Sequence, residues 1–273
     1  MPTNFRKYIV YAFLFIFVVI LITLILQPRF RARFQPKGHF IVSDLETRVL
    51  YEPGAEDYAS KIIKILQPAI EKVETEHLFP FQKSFKVYVF NTQASFNKHM
   101  GDPPNSLSRG SSFLGNVFIT PRAFNFHCQD THHETLIHEL SHLHVTQALG
   151  FSILWKNIPF WFSEGLADNV ANTGGETISD DEAITAIRTG NTFIPDDKNR
   201  FLIPKYPPDY GMEWLMFKAQ SKMFVKYLKV KDPEAFRKLL KSIYKWETFS
   251  ESFAKYYGNT VIDEWDRFES KLH

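Results

Sequence analysis

The 273-residue chain is long enough for one well-buried domain or two small ones, and its 44% apolar and 23% charged residues exclude bulk disorder, collagen-like repeats and coiled coils. The net charge of +2 is uneven: residues 1–37 hold six cations (Arg6, Lys7, Arg29, Arg31, Arg33, Lys37) and no acid, so residues 38–273 carry 26 cations against 30 acids, which excludes a basic nucleic-acid-binding body. The single cysteine, Cys128, rules out an intramolecular disulfide and a zinc site built on several thiolates.

Residues 1–7 form a short tail. Tyr8 to Leu26 is an uncharged run of 19 residues. As a helix it would span roughly 28 Å, close to the hydrocarbon thickness of a bilayer. It is longer than a signal-peptide core and is followed by Gln27-Pro-Arg-Phe-Arg instead of a small-x-small cleavage site. The expectation is therefore one uncleaved transmembrane helix over 8–26, a basic juxtamembrane linker over 27–37 and a single domain over 38–273. Cations flank the span on both sides. Those after it favour a cytoplasmic body by the positive-inside rule, although juxtamembrane cations can also rest on anionic headgroups.

In the body, Phe40–Val42 reads as a short strand and Pro53-Gly54 as a turn. Apolar residues from Ala59 to Val73 recur at three and four, which predicts an amphipathic helix from Glu56 to about His77, kinked or locally broken at Pro68. Phe85–Phe90 alternates like a strand, and 91–100 reads as a short helix. Ser112–Thr120 reads as a second strand, with a hairpin turn or a bulge at Gly115-Asn116. A helix over 131–149 is expected, with Asp130 as its N-cap and Glu134 in its first turn. Another runs from Pro159 to about Asn172. Residues 173–209 are rich in Gly, Asp, Asn and Pro, with one short helix over 180–188. Four helices close the chain, over about 212–229, 233–244, 248–257 and 260–272.

The chemistry concentrates on two of these helices. His138-Glu139-Leu140-Ser141-His142 is H-E-x-x-H, and residues four apart share a helix face, so both imidazoles can reach one ion. Glu139 can take a proton from a metal-activated water. A catalytic zinc needs a third protein ligand and an open position. Glu164, in Pro159-Phe-Trp-Phe-Ser-Glu-Gly-Leu-Ala-Asp168, can supply it. Asp168, one turn on, can accept the free N–H of a ligand imidazole and fix its tautomer. Phe160, Trp161, Phe162, Leu166 and Val170 would bury most of that helix, where partnerless carboxylates would be costly. His127, His132 and His133 could suggest a second metal site but lack matched carboxylates, and are expected to be ordinary polar positions. His144 lies about 240° round the helix from His138 and should face away from the ion.

With these residues in place, the chain resembles the gluzincin zinc metallopeptidases, most nearly the bacterial peptidase MA-like group, with thermolysin as a distant relative. The resemblance covers about residues 38–268. It implies an α+β, thermolysin-like (zincin) catalytic domain: a small mixed sheet, an active-site helix and a C-terminal helical subdomain. It implies one Zn2+ held by His138, His142 and Glu164, with Glu139 as general base and proton shuttle and Asp168 orienting His138. It further implies a peptide or protein substrate lying antiparallel along an edge strand formed by Ser112, Phe113, Leu114, Gly115, Asn116 and Val117, and an extracytoplasmic catalytic domain. One departure stands out. Where the group places a tyrosine to stabilise the oxyanion, this sequence has Phe217, leaving Tyr210 or Tyr206 as substitutes. The rival expectation is a zinc-containing, catalytically weak or inactive domain that binds a protein or cell-envelope partner.

Overall fold

In the computed structural model, the described residues are 11, 13–19, 38–125, 130–150, 158–172, 178–197, 205–245 and 247–272. Five short strands form one mixed sheet: β1 (Ile41–Val42), β2 (Val49–Tyr51), β3 (Val87–Val89), β4 (Gly110–Phe113) and β5 (Asn116–Ile119), in the order β1-β2-β3-β5-β4. The inner strands β2, β3 and β5 run parallel, and β1 and β4 pair antiparallel at the ends. Alternation along the strands separates two apolar layers. Val87, Val89, Val117 and Ile119 join the main core. Tyr88 and Phe118 face a smaller cluster with Phe40, Phe90 and Phe96.

The helices are α1 (Glu56–His77), α2 (Gln93–Met100), α3 (His132–Leu149), α4 (Phe160–Ala171), α5 (Asp180–Arg188), α6 (Trp214–Lys231), α7 (Pro233–Tyr244), α8 (Phe249–Tyr257) and α9 (Val261–Ser270). α1 and α3 cover the sheet, α4 packs on α3, and α6 packs on α4. The site-bearing helices thus sit between the sheet and the C-terminal helices. The whole is mostly helical, in keeping with a zincin-like α/β arrangement.

Several boundaries differ from the sequence expectation. Pro68 does not break α1, which runs unbroken over 22 residues. It sits on the exposed face, where the carbonyl it leaves without a donor can turn to water. The N-cap of α3 is Thr131, with no side-chain cap bond. Asp130 instead pairs with Lys61 at 2.9 Å and with His132. The run over 112–120 takes the hairpin alternative, with the turn at Leu114-Gly115, one residue before the expected Gly115-Asn116. Leu114 and Gly115 both have positive φ (45° and 77°), as a two-residue type I′ turn requires. Ser112 and Phe113 therefore lie on the edge strand, Leu114 and Gly115 in the turn, and Asn116 and Val117 on the inner strand β5. The edge offered to solvent is Gly110–Phe113, since no further strand flanks β4 among the described residues.

The expected membrane span over 8–26 falls mostly outside the described residues, as do the linker 27–37, His127 and Cys128. Tyr11 and Phe13–Val19 are helical and exposed. Among the described residues no helix is long and apolar enough to cross a membrane.

Candidate metal centre

α3 is buried on nearly every side, so its few polar residues must find partners inside the protein. His138 and His142 lie one turn apart and turn toward α4. Pro159 stands at the α4 N-cap, where its missing N–H does no harm. Trp161, Phe162, Leu166 and Val170 bury the helix and bring Glu164 and Asp168 up to the two histidines. His138, His142 and Glu164 form the one three-residue group among the described residues that could hold a metal ion, with ligand atoms within 4.8 Å of one another.

The spacing fits zinc. Ligand atoms placed tetrahedrally at about 2.0–2.1 Å from zinc stand about 3.3–3.4 Å apart. Here His138 Nε2 lies 3.1 Å from His142 Nε2. Glu164 Oε1 lies 3.2 Å from His142 Nε2, and Oε2 lies 3.6 Å from His138 Nε2. The outer ring nitrogens complete the fit. Asp168 Oδ1 stands 2.8 Å from His138 Nδ1, and Ser163 Oγ stands 3.2 Å from His142 Nδ1. Protons held on both Nδ1 atoms leave both Nε2 lone pairs for a cation.

Burial would raise the carboxyl of Glu164, but Lys218 and His142 outweigh it and hold the group far below the ordinary carboxylate range. The same opposition, with Lys218 first and His138 next, holds Asp168 at about 2. Burial would lower His142, and Glu164 raises it instead. Glu139 is 9% exposed and lies against the edge strand. A Cβ on Gly110 would stand 3.0 Å from Glu139 Cγ, so a larger residue there would press β4 and the expected base apart by a few tenths of an ångström.

The substitutes proposed for the tyrosine are elsewhere engaged. Tyr210 donates its hydroxyl to Asp196 Oδ1 at 3.0 Å and stacks on Phe217. Tyr206 is 43% exposed and packs against Phe160 and Trp214. Phe217 is fully buried, its ring packed among Phe160, Phe193 and Tyr210. The residue of α6 that does face them is its neighbour. Lys218 Nζ lies 3.3 Å from Glu164 Oε2 and 3.4 Å from Asp168 Oδ1. Sequence reasoning missed it. The available signal was a lysine on the stripe 218/221/225, whose other members, Ser221 and Val225, are buried.

Behind the site, α3 is anchored by a buried polar chain. His144 Nε2 donates to the Phe79 carbonyl at 2.8 Å, so its Nδ1 accepts from Tyr244 at 3.0 Å. Tyr244 in turn accepts from His77 Nδ1 at 2.5 Å, and His77 Nε2 accepts from Ser141 at 2.8 Å. His144 thus faces away from the candidate ligands His138 and His142, as its position on the helix implied.

The site places H-E-x-x-H on one helix and a carboxylate on the next, in a mixed α/β arrangement consistent with a zincin-like fold. The sequence matches no protein-family model and no curated protein. Solved structures that share the fold include two of yeast LTA4 hydrolase. Native yeast LTA4 hydrolase is similar at a TM-score of 0.52 and 13% identity. Yeast LTA4 hydrolase in complex with bestatin is similar at 0.50 and 13%. Each match covers 85% of this chain and 38% of the other, so the chain spans under two-fifths of their length.

Proposed function

We propose that this chain is a zinc-dependent metallopeptidase. The observation that carries the reading is the convergence of His138, His142 and Glu164, with Asp168 Oδ1 2.8 Å from the outer ring nitrogen of His138 and Ser163 Oγ 3.2 Å from that of His142. His138, His142 and Glu164 would hold the ion. Bound zinc supplies Lewis acidity toward a scissile carbonyl and makes water acidic near neutral pH. Glu139, next to the first ligand, takes the attacking water's proton and returns it to the leaving amine. Asp168 and Ser163 keep the two rings in their ligating tautomers. The outer side of β4 offers main-chain groups to an extended peptide, which gives affinity without demanding a particular sequence. The yeast LTA4 hydrolases are hydrolases by name, in keeping with this reading.

The test is metal analysis of the purified chain together with cleavage of a mixed peptide library by wild type and Glu139→Gln. One zinc per chain in both proteins, with cleavage lost in the variant, is expected. Unchanged cleavage by Glu139→Gln overturns the assignment. A second reading, a zinc-bearing domain that binds a protein or cell-envelope partner without cleaving it, is favoured by the engagement of Tyr210 with Asp196 and the burial of Phe217. One zinc per chain with no cleavage by wild type would select it. We also propose that residues 8–26 anchor the chain in a bilayer with the catalytic domain outside the cytoplasm. A carboxyl-terminal reporter active only when exported tests the orientation.

A further inference from the structure

We propose that Lys218 is the resident cation of this centre: it holds Glu164 and Asp168 in the metal-free protein and must yield Glu164 when the metal arrives. This rests on the zinc reading above. Its Nζ lies 3.3 Å from Glu164 Oε2, the oxygen that also stands 3.6 Å from His138 Nε2. It lies 3.4 Å from Asp168 Oδ1, the oxygen that orients His138. One ammonium thus touches a metal ligand and the partner of another. Two carboxylates this buried need a compensating cation. The zinc dication and the lysine ammonium would both bring positive charge to the same oxygen, and so they compete. The backbone of α6 is fixed at this point, because Gly165 of α4 packs directly on the Ser221 carbonyl. The lysine side chain is freer. It keeps 21% of its surface exposed, and a flexible four-carbon stem carrying a point charge can withdraw toward solvent without breaking a bidentate pair.

Competition predicts effects of opposite sign, which an ordinary structural ion pair does not. Full-length wild type, Lys218→Met and Lys218→Gln are stripped of metal, and thermal unfolding and Zn2+ affinity against a chromophoric chelator are measured. The metal-free variants should melt lower by roughly 6 °C or more, the loss expected for a broken buried ion pair. They should bind Zn2+ about ten-fold tighter or more, the scale on which groups around metal ligands tune affinity. Lys218→Arg, which keeps the charge and can grip a carboxylate through two parallel hydrogen bonds, should stay near wild type in melting and bind Zn2+ more weakly. If Lys218→Met does not fold without metal but recovers on adding Zn2+, the inference stands. Equal or weaker Zn2+ binding by both neutral variants, with wild type holding one zinc per chain, overturns this inference alone. Absence of Zn2+ binding by wild type overturns the metal reading itself.

Discussion

Gly165 of α4 packs on the Ser221 carbonyl of α6 so closely that a Cβ would lie 2.5 Å from that oxygen. This approach of two helix backbones sets where α6 passes the metal centre. It brings Lys218, one turn earlier on α6, to Glu164, the residue just before the glycine. The obstacle is main chain and cannot rotate aside. Gly165→Ala should therefore lose about 1–3 kcal/mol or more by overpacking. The loss should appear as a lower denaturant midpoint with an unchanged slope. An unaltered midpoint would mean that the helices separate freely at this crossing.

Gly110 makes a similar demand at the other side of the site. A Cβ there meets Glu139 Cγ at 3.0 Å, the Phe118 carbonyl at 3.1 Å and Thr135 Cγ2 at 3.1 Å. Gly110→Ala should displace Glu139 while leaving the three metal ligands in place. Peptide cleavage is expected to fall by about three-fold or more, since a misplacement of a reacting group by about 1 Å costs about a hundred-fold and these contacts demand a shift of a few tenths of an ångström. Zinc content should stay at one per chain. Loss of zinc along with activity would show that β4 supports the ligands and not the base.

Asp168→Asn keeps the size of the side chain but removes the charge facing His138 Nδ1 and Lys218. The amide can present its N–H to the ring and so favour the wrong tautomer. Zn2+ affinity should drop by about 10–100-fold, the usual effect of losing the partner of a ligand histidine. Competition with a chelator reads this directly. An affinity equal to wild type would mean that the ring is held by packing alone.

His77 gives a pH signature away from the ligands. Burial, with His144 beside it, pushes the imidazole well below its ordinary value, so the folded protein keeps it neutral. The unfolded chain binds a proton there below about pH 6.5. Stability is thus fully present above that pH and is lost as pH falls below it, by up to about 1.4 kcal/mol per pH unit from this group. Urea midpoints of the metal-free protein between pH 7.5 and 5.5 should show a shallower pH dependence for His77→Gln than for wild type. Identical dependences would refute the neutral chain from Ser141 through His77 and Tyr244 to His144.

The sequence alone determined which candidate side chains share a helix face. A spacing of four on one helix puts His138 and His142 on one face, and the same spacing pairs Glu164 with Asp168, because helix geometry is local and fixed. The order of the main elements was legible for the same reason. Only the tertiary structure decided what stands opposite them. Periodicity marks a buried stripe without saying which helix covers it, so Phe217 seemed to be the site-facing residue of α6 when Lys218 holds that place. Nor does it give distances between backbones. The Gly165–Ser221 crossing, the Gly110–Glu139 contact and the edge position of Gly110–Phe113 arise from how separate elements pack, and that depends on residues far apart in the chain.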